Sequence, residues 1–108
     1  MLPTKEANLS PDATFIIGPL DSIEDVDDAA CKLLGYSRPE LLEMHGSELV
    51  PTERHGPTAV SLDRMRRGDL KFRVGVLKRK DGMILTVAVR ARVLGAGRLQ
   101  LTVSERTI

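Results

Sequence analysis

The sequence predicts an α+β domain in which one five-stranded antiparallel sheet carries short helices on one face. Three observations predict it. Two short apolar, β-branched runs lie near the N-terminus, at 14–17 and 22–26. A helical block punctuated by Gly35, Pro39, Pro57 and Gly68 follows. Three period-two runs fill the last third of the chain, separated by turn residues.

At 108 residues the chain is one domain with one core, needing neither disulfide nor metal to fold. Residues 1–9 show no periodicity and read as a tail or loose cap, so the domain proper is 10–108. Hydrophobic residues make up 42%, without a long uncharged apolar run, so neither a transmembrane helix nor a signal peptide is expected. The lone Cys31 forms no internal disulfide and fits a cytoplasmic setting. Phe15, Tyr36 and Phe72 are the only aromatics, which speaks against a stacking platform for single-stranded nucleic acid and against a bound flavin. The net charge of +1 hides an asymmetry: residues 1–54 hold 4 Lys/Arg against 11 Asp/Glu, and residues 55–108 hold 12 against 4. The basic residues alternate along strands, so the halves are expected to lie side by side and compensate each other, without direct nucleic-acid binding.

Each element has a local cause. Ser10-Pro11-Asp12 is turn or capping chemistry. Thr14-Phe15-Ile16-Ile17 is a strand stopped by Gly18-Pro19, and a second strand at 22–26 forms a hairpin with it. Asp27 is an N-cap, with Asp28 favourably placed in the first turn. Ala29, Ala30, Leu33 and Leu34 form the inward stripe of a short helix that Gly35 ends. Ser37 and Glu40 have capping-box spacing around Pro39, predicting a second short helix over 39–44. A longer helix is predicted over 57–67, with Ala59, Leu62 and Met65 inward and Asp63, Arg64, Arg66 and Arg67 solvated. Phe72, Val74 and Val76 then alternate with Arg73 and Gly75, and Lys80-Asp81-Gly82 makes a hairpin turn. Leu85, Val87, Val89, Ala91 and Val93 alternate with Thr86, Ala88, Arg90 and Arg92. After Gly95-Ala96-Gly97, Leu99, Leu101 and Val103 alternate with Arg98, Gln100 and Thr102. One face of each strand is buried; the other, half aliphatic and half arginine, is open to cover by another chain or helix.

In order and spacing, several segments together resemble the PAS domain family. They are Asp12 to Ile17, Asp25 to Ala30, Leu33-Leu34-Gly35-Tyr36-Ser37, Glu40-Leu41-Leu42, Ser47 to Pro51, Arg79-Lys80-Asp81-Gly82 and Gly97-Arg98-Leu99-Gln100. The resemblance covers nearly all of 10–107. Asp27 stands where the family often has Asn, but both cap a helix. Ser104-Glu105-Arg106-Thr107 matches loosely the signature that leads into a helical output linker, so the chain is expected to be a fragment of a larger signalling protein.

The resemblance implies a sensory module of a bacterial signal-transduction, two-component or transcription-regulatory protein. Such a module passes strain through its last strand to a kinase, cyclase or DNA-binding effector, commonly as a homodimer. The apolar ligand pocket expected here is lined by Leu34, Leu62, Met65, Val76, Val89 and Leu101. The expected dimer face carries Ala88, Arg90 and Thr102. The second reading is a ligand-free dimerisation or partner-docking domain.

No cofactor is expected. The reactive-cysteine helix of the light-sensing branch is missing, and Cys31 reads as a small packing residue. Haem calls for a histidine one turn beyond His55, at the place of Thr58; Arg64 at a position the haem subgroup shares is an ordinary surface choice, and His45 lies in a loop. No metal is expected either: Asp21, Glu24, Asp25, Asp27 and Asp28 lack calcium-loop spacing and fit a strand end plus a cap. Nothing orients Cys31 and His45 as a nucleophile pair, and Gly95-Ala96-Gly97 is no phosphate loop, so no catalytic residue is expected. The chain reads as no enzyme and as no membrane partner.

Overall fold

The computed structural model describes residues 12–106. The tail at 1–9 and the turn expected at Ser10-Pro11 fall outside the described residues, as does Thr107.

Strand β1 (Ala13–Ile17) and β2 (Ile23–Val26) form the expected hairpin. Asp27 then does two jobs with one oxygen. Its Oδ1 accepts the Ala30 N–H at 2.9 Å, capping helix α1 (Asp28–Leu34), and the Thr14 N–H at 3.1 Å, tying that cap to β1. Gly35 ends α1 with φ 80°, the left-handed conformation that glycine adopts without steric cost. Ser37 and Glu40 form a complete capping box on helix α2 (Arg38–Leu42), which ends two residues before the predicted limit. Two 3-10 turns, Gly46–Leu49 and Thr52–Arg54, lead into helix α3 (His55–Arg66). Helix α3 starts two residues earlier than predicted. Pro57 still lies in its first turn, where its missing N–H sacrifices no helical bond. Strands β3 (Phe72–Lys78), β4 (Ile84–Gly95) and β5 (Arg98–Glu105) complete the chain.

The sheet order is β2-β1-β5-β4-β3, every pair antiparallel. The last strand therefore lies at the centre, between β1 and β4. Register places Ala13 opposite Val103 and Phe15 opposite Leu101, so apolar side chains of β1 and β5 share one face. Leu85 and Val87 of β4 join them, and Leu33 and Leu34 of α1 and Leu41 of α2 close the core from above. Each fully buried leucine contributes about 1.5–3 kcal/mol of transfer free energy.

Register also corrects the reading of β3. Arg73, Gly75 and Leu77 stand opposite Val89, Val87 and Leu85, on the inner face. Phe72, Val74 and Val76 stand opposite Arg90, Ala88 and Thr86, on the outer face, and Phe72 and Val74 are about half exposed. A period of two fixes which residues share a face, but only the partner strand decides which face is inside.

The charged halves meet as expected. Lys80 Nζ lies 2.6 Å from Glu40 Oε2, and Arg98 Nε lies 2.7 Å from Glu24 Oε1. The β3–β4 turn also docks on the end of α1: Arg79 Nη1 donates to the Leu33 carbonyl at 2.7 Å and the Lys80 N–H to that of Leu34 at 2.9 Å. Among the described residues, no helix is long and apolar enough to cross a membrane.

Candidate functional site

Helix α3 crosses β4 and β5 without filling the space beneath it, its first two inward positions being the short polar Thr58 and Ser61 and its last two Leu62 and Met65. Thr58, Ser61, Leu62 and Met65 line a cavity of about 90 Å³. The predicted stripe through Ala59 is rotated: Ala59 is exposed, and Thr58 takes its place. Phe15 and Ile17 of β1, Val87 and Val89 of β4, and Leu101 and Val103 of β5 form the floor. Leu49 and Val50, from the turns before α3, form one wall.

Of the pocket residues expected from sequence, Leu62, Met65, Val89 and Leu101 border this cavity together. Val76 touches it from β3, although its register places it on the outer face opposite Thr86. Leu34 is not on the cavity wall; it is fully buried in the main core beneath α1 and α2. The α1 stripe points at that core because the Asp27 cap fixes the helix against β1.

Three polar clamps hold α3 over the cavity. His55 Nε2 donates to the Val50 carbonyl at 2.8 Å, anchoring the first turn. Arg73, inward on β3, reaches the Ser61 hydroxyl and bridges helix and edge strand. Arg66 is not solvated as predicted. Its Nε donates to the Gly97 carbonyl and its Nη2 to that of Gly18, each at 2.9 Å, so the end of α3 is tied to both the β4–β5 and the β1–β2 turns. Arginine spacing on a helix cannot distinguish a solvated side chain from one that meets two distant turns.

The acidic run is dispersed among separate partners. Glu24 pairs with Arg98, Asp25 with Arg38 at 2.6 Å, and Asp27 caps α1. The Arg38 hydrogen bond, aided by the Val26 N–H, lowers the Asp25 pKa. Cys31 is half-buried and packs against the core; burial, then the nearby Asp28 and Asp27 charges, raise its thiol pKa. His45 stands beside Glu48, its Nδ1 3.6 Å from Oε2. The sequence singled out Asp21 only as part of the acidic run, and it did not point to the clasp of Arg73 and Ser61. Asp21 carries no local signal beyond its turn, whereas Arg73 becomes visible once β4 sets the phase of β3.

No family model matches the sequence, and neither does any curated protein. Solved structures do. A domain of a sensory box sensor histidine kinase/response regulator from Geobacter sulfurreducens is 27% identical, with a TM-score of 0.77 over 88% of this chain and 82% of that one. A PAS domain from Desulfitobacterium hafniense is 19% identical, with a TM-score of 0.75 over 90% and 92%. The PAS domain of a LuxR-family transcriptional regulator from Burkholderia thailandensis, in complex with ethanol, is 18% identical, with a TM-score of 0.71 over 96% and 97%. The chain has the PAS domain fold.

Proposed function

We propose that this chain of PAS fold is the sensory module of a signal-transduction or transcription-regulatory protein, taking a small ligand beneath α3 and signalling through β5. The cavity carries this reading. Leu101 and Val103 form part of its floor, and they belong to the central strand of the sheet. A molecule that fills the space presses on β5, and β5 is hydrogen-bonded on both sides, so displacement spreads to β1 and β4. The size of the cavity selects small ligands: about 90 Å³ is less than the ~150 Å³ void that accepts benzene. The ethanol complex of the Burkholderia domain supports the same size class. Native mass spectrometry of gently purified protein tests the reading. A small molecule that co-purifies and is lost on filling the cavity with Leu62→Trp supports it. A clean dimer without added mass favours the docking alternative.

That alternative has its own observation. Phe72, Val74 and Ile84 are each about half exposed on the outer sheet face; Phe72 stands opposite Arg90 and Val74 opposite Ala88, and Ile84 lies further along the same face of β4. Thr102 lies opposite Arg90 on β5, so the three residues expected at a dimer face are adjacent on one surface. An apolar stripe rimmed by arginine is suited to pairing two such sheets.

A further inference from the structure

Asp21 closes the β1–β2 turn in the left-handed conformation, with φ 69°, which aspartate tolerates better than most residues. It staples that turn to the segment before α3. Its Oδ2 accepts the Ser47 N–H at 2.9 Å and its carbonyl oxygen the Gly46 N–H at 2.8 Å. The other carboxylate oxygen, Oδ1, is buried without a hydrogen-bond partner among the described residues. An acceptor out of water without a donor is costly and rare in folded proteins.

Its position gives that oxygen a use. Asp21 lines the apolar cavity and also an adjoining, more polar cavity of about 150 Å³; Thr58 and Leu62 are shared by both. Gly46 keeps the site open, because a Cβ there would lie 2.8 Å from Oδ1. Three of the side chains around these cavities donate elsewhere: Arg66 to the Gly18 and Gly97 carbonyls, Arg73 to Ser61, and His55 Nε2 to Val50.

We infer that Asp21 is the polar anchor of the cavity, its Oδ1 accepting a hydrogen bond from the hydroxyl or ammonium end of a short aliphatic ligand. The aliphatic part lies against Leu62, Met65 and Leu101. This inference rests on the sensory reading and adds the chemistry of the ligand. Scaled from the ~150 Å³ that holds benzene, the apolar cavity admits roughly four non-hydrogen atoms.

Three probes of equal size test it: n-propanol, n-propylammonium, and methoxyethane, which has no donor. Titration followed by methyl NMR of Leu62, Met65 and Leu101 reads binding directly. Saturable shifts with propanol or propylammonium, and at least tenfold weaker binding of methoxyethane, are expected, since one charge-assisted hydrogen bond is worth about that ratio. The stronger of the two donor probes identifies the hydroxyl or the ammonium as the natural head group. Asp21→Asn keeps an oxygen for Ser47 and turns the other position into a donor, so it should weaken propylammonium, which has no acceptor, by about tenfold and strengthen the ether, whose oxygen can accept. If the ether binds the parent protein as well as propanol does, or if Asp21→Asn changes nothing, the anchor is refuted while the pocket survives. If none of the three probes moves the methyl signals, anchor and pocket both fall. Should Asp21→Asn not fold, the comparison of ether and propanol on the parent protein decides alone.

Discussion

Arg66 Nε donates to the carbonyl oxygen of Gly97 at 2.9 Å, joining the last turn of α3 to the β4–β5 hairpin across 31 residues of sequence. The same guanidinium reaches the Gly18 carbonyl, so one side chain holds the helix over the cavity from two turns. Arg66→Ala should therefore lower stability by about 2–3 kcal/mol, the scale of hydrogen bonds to a charged donor that leave their carbonyls behind. Urea unfolding with an unchanged m-value checks this. A loss below half a kcal/mol, the usual range of a surface substitution, would show that Arg66 is solvated after all.

Gly97 faces Pro19 so closely that a Cβ would lie 2.7 Å from the proline Cβ, and its φ is 77°. Gly68 has nearly the same φ, 81°, but open space around it. Gly68→Ala should cost about 1–2 kcal/mol from the left-handed conformation alone. Gly97→Ala should cost about 1–3 kcal/mol more through the steric clash. Equal losses in parallel unfolding curves would mean that Pro19 moves aside freely.

Glu40 links α2 to the β3–β4 turn. The Lys80 hydrogen bond, with the Ser37 N–H second, holds its pKa below the ordinary 4.5. A carboxylate whose pKa is lower in the folded state adds stability above its unfolded pKa and loses it as pH falls through the folded one. The wild-type advantage over Glu40→Gln should be full at neutral pH, shrink below about pH 4.5, and vanish in stronger acid. Chemical unfolding of both proteins across that range is the check, and an advantage that grows on acidification contradicts the assignment.

Ala88 lies between Val74 on β3 and Ser104 on β5, in the middle of the outer face. If the protein pairs through this face, Ala88→Glu should weaken the dimer by on the order of a hundredfold, the penalty of an unpaired charge in an interface. Val60→Glu, at an exposed position of α3, should leave association unchanged. Sedimentation velocity distinguishes the two, and a dimer indifferent to Ala88→Glu places its interface elsewhere.

What the sequence determined by itself was local. The Asp27 cap, the left-handed Gly35, the Ser37 and Glu40 box and the glycine turns at Gly82 and Gly97 are set by residues a few positions apart, whose hydrogen bonds and φ preferences act before any tertiary contact forms. The alternation of β4 and β5 was equally legible, and with it Val89 and Leu101 on the cavity. Tertiary structure decided the rest. Placing β5 between β1 and β4 set the inward phase of β3, brought Arg73 inside and Val74 outside, and called Arg66 to two turns. It also set Leu34 in the core rather than at the cavity and left Asp21 Oδ1 without a donor among the described residues. These are properties of segments tens of residues apart, fixed when strand order and register are chosen, so no short window of sequence contains them.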